Sequence, residues 1–153
     1  MITNFLSTSP EKTFELGEKI GKCLKGDEIL LLSGDLGAGK TLLTKGIAAA
    51  LDIDPKEVVS PSFSIMNRFE GKFLLFHFDL YRLGETINGI IPEMDDYMGD
   101  GVIVIEWAQY LDISYFQLKK AAAVRFQITP ADDREITIET SLEYLDITKT
   151  PRR

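Results

Sequence analysis

The chain has 153 residues, 44% hydrophobic and 27% charged side chains, and a formal net charge of −7, as expected of one folded domain with a core of its own. The negative balance excludes a surface that attracts free nucleic acid or anionic lipid broadly, so any RNA contact needs a local basic patch or a second protein. A single cysteine, Cys23, excludes an internal disulfide and fits a reducing compartment.

At the N-terminus, MITNFLSTSPEK has neither a basic leader nor a long apolar stretch, so no signal peptide is expected. Nowhere do about 18 apolar residues follow one another, so no membrane contact is expected. The expected location is the cytoplasm. Ser9 as cap, Pro10 at the first helical position and Glu11 in the first turn predict a helix start. Phe14, Gly17, Ile20, Gly21 and Leu24 keep the 3.6-residue period, and Gly26 is the predicted stop. Cys23 falls on this helix and reads as a buried, inert thiol. The short apolar run Ile29 to Ser33 suits a buried parallel strand, and a second helix is predicted from about Gly39 to near Leu51.

Ser62 to Phe69 and Lys72 to Leu80 read as two strands joined at Glu70-Gly71. The period of two puts His77 and Asp79 on one face of the second strand. Gly84 to Asp100 leaves room for only a short helix. Val102 to Glu106, VIVIE, is another buried-strand candidate. AAAVRFQITP and REITIET then read as a closing hairpin over PADD. Helices and strands alternate early and strands dominate later, which fits one α/β sheet of mixed direction. The basic KTPRR at the end reads as a solvated tail.

Between the first buried strand and the second helix lies Gly34-Asp35-Leu36-Gly37-Ala38-Gly39-Lys40-Thr41, a full match to G-x-x-x-x-G-K-[ST]. A chain of this length matches that pattern by chance about once in a hundred cases. Glycines let the backbone wrap so that successive N–H groups face phosphate oxygens, and the helix start adds partial positive charge. Lys40 is expected at the β and γ phosphates and the Thr41 hydroxyl on magnesium. An ordinary Gly-rich turn is the plain alternative. The fold expected is therefore a P-loop NTPase-like α/β domain over residues 1–141, with a mixed, mainly parallel sheet flanked by helices and β-hairpins. Residues 142–153 are expected to form a tail.

Hydrolysis needs a carboxylate near the metal and a group to orient water. Glu106 and Asp79 each end an apolar strand at the edge where open α/β sheets bind ligands. Glu106 is assigned to the metal, directly or through water, and Asp79 to the water or a switch segment; a surface strand-end acid is the alternative for each. His77 reads as a structural histidine before a general base. Trp107 reads as packing beside the site, and Arg82 as either a charge stabiliser or a carboxylate partner.

With SPSF (60–63), HFDLYRL (77–83) and IEW (105–107) added to the phosphate loop, the chain resembles the TsaE family, formerly YjeE. These are small bacterial P-loop ATPases of tRNA threonylcarbamoyladenosine synthesis. The resemblance spans about residues 5 to 140. It implies ATP/ADP and Mg2+ as ligands, with phosphates on Gly37, Ala38, Gly39, Lys40, Thr41 and Leu42 and the metal on Thr41 and Glu106. It implies that Asp79 is the acid of an HxDxYR motif needed for activity. Ser60 and Ser62 would lie in a switch-like loop, with Thr13 and Arg134 close to the nucleotide. The family usually has SPTF where this chain has Ser62, and glycine before the arginine where this chain has Asp132 and Asp133. The implied partners are the TsaD and TsaB proteins, with TsaC supplying the activated carbamoyl donor and tRNA reached through the complex. Hydrolysis would reset that assembly between cycles. Rival readings are a small-molecule kinase, although no Arg-rich lid is present, and a nucleotide-gated binding module with negligible turnover. A GTPase is disfavoured, because the sequence has no N-K-x-D segment to read guanine.

Overall fold

The computed structural model describes residues 1–35, 37–59, 65–81, 83, 89–116 and 119–148. In chain order the strands are β1 (Ile2–Ser7), β2 (Ile29–Ser33), β3 (Met66–Glu70), β4 (Leu74–Asp79), β5 (Val102–Glu106), β6 (Ala121–Ile128) and β7 (Arg134–Thr140). The helices are α1 (Pro10–Cys23), α2 (Lys40–Ala50) and the short α3 (Ile91–Asp95). One seven-stranded sheet runs β1-β7-β6-β2-β5-β4-β3. Its middle strands β6, β2, β5 and β4 are mutually parallel, and antiparallel pairs close both edges. The expected α/β sheet of mixed direction is what forms.

The unbroken apolar runs are explained by burial on both faces. Leu30 and Leu32 of β2 face a core shared with Leu16 and Ile20 of α1 and Leu43 and Ile47 of α2. Ile29 and Leu31 face the opposite way, into a second core with Phe76, Phe78, Ile103, Ile105 and Met94. Leu75 of β4 belongs to the helix-covered core, so His77 and Asp79, in step with it, lie on that side.

Ser9 is the cap of α1: its side chain accepts from Lys12 N at 3.2 Å, and Pro10 follows. The helix stops at Cys23, short of the expected Gly26. The reason is Glu28, whose fully buried carboxylate gathers the backbone N–H groups of Lys25, Gly26 and Asp27 and turns that segment out of the helix. The hairpin strands are also shorter than expected. β3 begins at Met66, with residues 60–64 outside the described set. Its connection bends at Gly71–Phe73 because Lys72 N donates to Leu51 O, at the end of α2, at 2.6 Å.

Two further differences stand out. The N-terminal segment forms β1, an edge strand paired antiparallel with β7, where no strand was expected. The expected tail does not begin at residue 142. Glu143–Leu145 make a 3-10 turn, Leu145 is buried, and the Tyr144 hydroxyl donates to Glu28 at 2.6 Å. Residues 149–153, the KTPRR segment, lie outside the described set. Among the described residues no helix is long and apolar enough to cross a membrane.

Candidate functional site

The site is built where β2 hands over to α2. Gly39 caps α2 in a left-handed conformation with φ +105°, which a side-chain-bearing residue adopts only under strain. Among the described residues no side chain caps this helix start, so its first N–H groups are donors available to an anion. Gly34 is required for a different reason: a Cβ there would come within 2.9 Å of the Phe126 Cβ and 3.0 Å of the Phe126 carbonyl. Leu36, between them, lies outside the described residues.

Lys40 is buried at the base of this loop. Its ammonium donates to Gly34 O at 2.5 Å and Asp35 O at 2.9 Å, and it sits 3.9 Å from the centre of the Trp107 ring. Burial pushes the Lys40 ammonium below the usual lysine range, while the charges of Glu106, Asp35 and Asp79 pull the other way. Trp107 does pack beside the site. It holds a left-handed backbone, φ 65°, and lies between the rings of Tyr81 at 4.8 Å and Tyr110 at 6.0 Å. The indole face thus roofs a cation.

Glu106 is 2% exposed. One carboxylate oxygen accepts from the Thr41 hydroxyl at 2.8 Å and the other lies 2.5 Å from His77 Nε2. The strand-end acid and the last residue of the phosphate loop are therefore joined directly, across 65 residues of sequence. Asp79 is the register partner of Glu106 on β4 and is half-buried; one of its oxygens accepts from Tyr81 N at 3.1 Å. A hydroxyl and a carboxylate are hard oxygen donors of the kind magnesium takes, with its other positions filled by water and ligand oxygens. Among the described residues no cluster of three or more His, Cys, Asp or Glu offers a protein-only cage; a magnesium ion here would draw on Thr41 and Glu106 together with water and ligand oxygens.

A cleft of about 290 Å³ adjoins the loop on its other side, lined in part by Thr13, Gly37, Gly39, Leu42 and Arg134. Thr13 is buried and shares a 2.6 Å hydrogen bond with the Ser7 hydroxyl. Arg134 donates to Gly37 O at 3.2 Å and to Asp132 O at 2.8 Å. Asp132 and Asp133 thus steady this arginine against the loop. Ala38 is buried in the loop itself. Ser60, Ser62 and Arg82 lie outside the described residues.

Sequence reasoning missed Gln109. Its side-chain amide donates to Gly34 O at 3.1 Å and accepts from Gly34 N at 3.4 Å, clasping the loop where it leaves β2. Gln109 belongs to no motif, and only the three-dimensional approach of the Ala108–Tyr110 turn to β2 brings it there.

Comparison with known proteins finds relatives of this chain and a solved structure of similar fold. The family model described as "Threonylcarbamoyl adenosine biosynthesis protein TsaE" matches residues 7–137. A relative from Aquifex aeolicus, the "tRNA threonylcarbamoyladenosine biosynthesis protein TsaE", is 37% identical over 113 residues, 71% of this chain and 79% of the relative. The protein of the same name from Bacillus subtilis is 34% identical over 133 residues, 86% of this chain and 81% of the relative. A crystal structure of YdiB from Bacillus subtilis is similar in fold with a TM-score of 0.71 at 29% identity, covering 97% of this chain and 92% of that one.

Proposed function

The chain belongs to the TsaE family, and from that premise we propose that it is an ATPase of tRNA threonylcarbamoyladenosine biosynthesis. In this reading it binds ATP with magnesium, hydrolyses it, engages a TsaB–TsaD complex and resets that complex between cycles. The observation that carries the reading is the 2.8 Å hydrogen bond from Thr41 to Glu106, which pairs the loop's hydroxyl with a strand-end acid in the manner magnesium coordination needs.

Each residue then has a task that follows from its chemistry. The N–H groups from Gly37 to Leu42 receive the phosphates, and Lys40 neutralises charge at their far end. Thr41 and Glu106 hold magnesium, which when bound withdraws charge from the phosphate oxygens. Asp79, beside Glu106 but open to solvent, orients the attacking water. Thr13, Leu42 and Arg134 line the cleft next to Gly37 and Gly39 and take the nucleoside end. Partners supply what a small P-loop protein lacks, since missing positioning or charge-stabilising groups cost about 10³ to 10⁵ in rate. The net charge of −7 supports tRNA contact through the complex and not through this chain's general surface.

The test is phosphate release from ATP, measured alone and then with purified TsaB–TsaD complex and tRNA. Slow release alone and faster release in the complex is the expected result. An unchanged rate removes the coupling, and a phosphorylated small-molecule acceptor in place of free phosphate makes the protein a kinase.

A further inference from the structure

Glu106 is nearly inaccessible to solvent, and a carboxylate so placed needs both oxygens satisfied. Thr41 serves one oxygen and His77 Nε2 the other. His77 is itself fully buried on β4, and its Nδ1 meets no hydrogen-bond partner among the described residues. These facts select a tautomer. A proton on Nδ1 would leave a buried N–H without an acceptor and set the Nε2 lone pair against a carboxylate oxygen. A proton on Nε2 gives a charge-assisted bond to Glu106 and leaves only a bare ring nitrogen unpaired.

We infer that His77 is a positioning residue for the metal-binding acid: through Nε2–H it fixes the plane of the Glu106 carboxylate so that the other oxygen stays with Thr41. The inference rests on reading Thr41 and Glu106 as the magnesium pair. It gives His77 no proton to transfer and no contact with nucleotide. Without that donor, one Glu106 oxygen is left unpaired in the interior and the carboxylate is free to turn away from Thr41. Hydrogen bonds behind a metal ligand typically contribute about 10- to 100-fold in metal affinity.

The chain has one histidine, so the imidazole nitrogen NMR spectrum of the full-length protein reads His77 alone. Nε2 protonated and Nδ1 bare is the expected pattern, both free and with magnesium and a non-hydrolysable ATP analogue; a proton on Nδ1 overturns the inference. Calorimetric titration of that analogue, once with magnesium and once with EDTA, tests the consequence. His77→Leu is expected to lose roughly tenfold of the magnesium-dependent tightening while its affinity in EDTA stays within about twofold of the unaltered protein. His77→Gln, which keeps an N–H, is expected to recover most of the loss. A folded His77→Leu protein with full magnesium-dependent tightening overturns the inference and leaves the nucleotide site standing. Failure of the unaltered protein to bind the analogue in either condition overturns the reading beneath it, and this inference with it. Should His77→Leu not fold, His77→Phe takes its place, and the nitrogen spectrum of the unaltered protein decides in any case.

Discussion

Asp79 and Glu106 are register partners at the ends of the parallel strands β4 and β5, yet among the described residues only Glu106 bonds to the phosphate loop, through Thr41. Strand order is the cause. β5 lies directly beside β2, the strand that feeds the loop, and β4 lies one strand further out. Two acids side by side at the same sheet edge therefore stand at unequal distances from the strand that feeds the loop. The near one is buried and committed to a hydroxyl and an imidazole, while the far one keeps solvent contact.

This division predicts different failures for the two acids. Glu106→Ala is expected to lower hydrolysis at least tenfold, about 1.4 kcal/mol of barrier, and to abolish the dependence of nucleotide affinity on magnesium. Asp79→Ala is expected to lower hydrolysis by a similar factor with nucleotide affinity preserved. Asp79 is only half-buried and caps a single backbone N–H, so its loss spares the fold. Steady-state phosphate release and calorimetric binding on both variants separate the cases, and full activity in either variant removes that residue from the mechanism.

Lys40→Ala is expected to weaken ATP binding by about tenfold or more, at least 1.4 kcal/mol. The ammonium is the loop's one side-chain cation, and it is enclosed by Gly34 O, Asp35 O and the Trp107 ring. Direct titration of ATP measures the loss. Unaltered affinity in the folded variant would falsify the phosphate-loop role.

Much of this arrangement is legible in the sequence, for reasons that can be stated. β2 and β5 are readable because both their faces are buried, so every residue is apolar until the final Ser33 or Glu106. The phosphate loop is readable because its chemistry demands fixed spacing. β1 is not readable: its apolar Ile2 and Leu6 point outward, 61% and 55% exposed, so the pattern contradicts the burial that a strand normally reports. The pairing of His77 with Glu106 is hidden for another reason. The period of two puts His77 with Asp79, but its true partner lies on the neighbouring strand, and the register of parallel strands is set by tertiary packing. Gln109 is invisible in the same way, since its value is in clasping Gly34 from 75 residues away.

Cys23 yields a reactivity prediction. It is half-buried at the end of α1, and burial pushes its thiol above the usual cysteine value, with the charge of Asp146 adding to the rise. A raised value lowers the thiolate fraction at any given pH. Modification by a disulfide reagent at pH 8 is therefore expected to be several-fold slower in the native protein than in the denatured chain, about what a smaller thiolate population and restricted access together give. The rate should climb as pH passes above 9.0, the ordinary thiol value. Equal rates in native and denatured protein would contradict both the burial and the shift.

The contact between α1 and α2 predicts the effect of one methyl group. A Cβ on Gly46 would stand 2.1 Å from Phe14 O, and one on Gly17 would stand 2.2 Å from Leu43 O. Both obstacles are backbone atoms, so no side-chain rotation relieves them. Ala is the better helix former by about 1 kcal/mol, but at this crossing the helices must separate, and overpacking costs about 1–3 kcal/mol or more. The clash wins because the only relief is to move α2 bodily away from α1. Gly46→Ala is therefore expected to lower Tm by about 2–4 °C for each kcal/mol lost. It should also weaken ATP binding, because Lys40 and Thr41 are the first residues of the displaced helix. Thermal unfolding and nucleotide titration on the same preparation test both effects. A Gly46→Ala protein as stable as the parent would mean that the two helix backbones do not meet at this point.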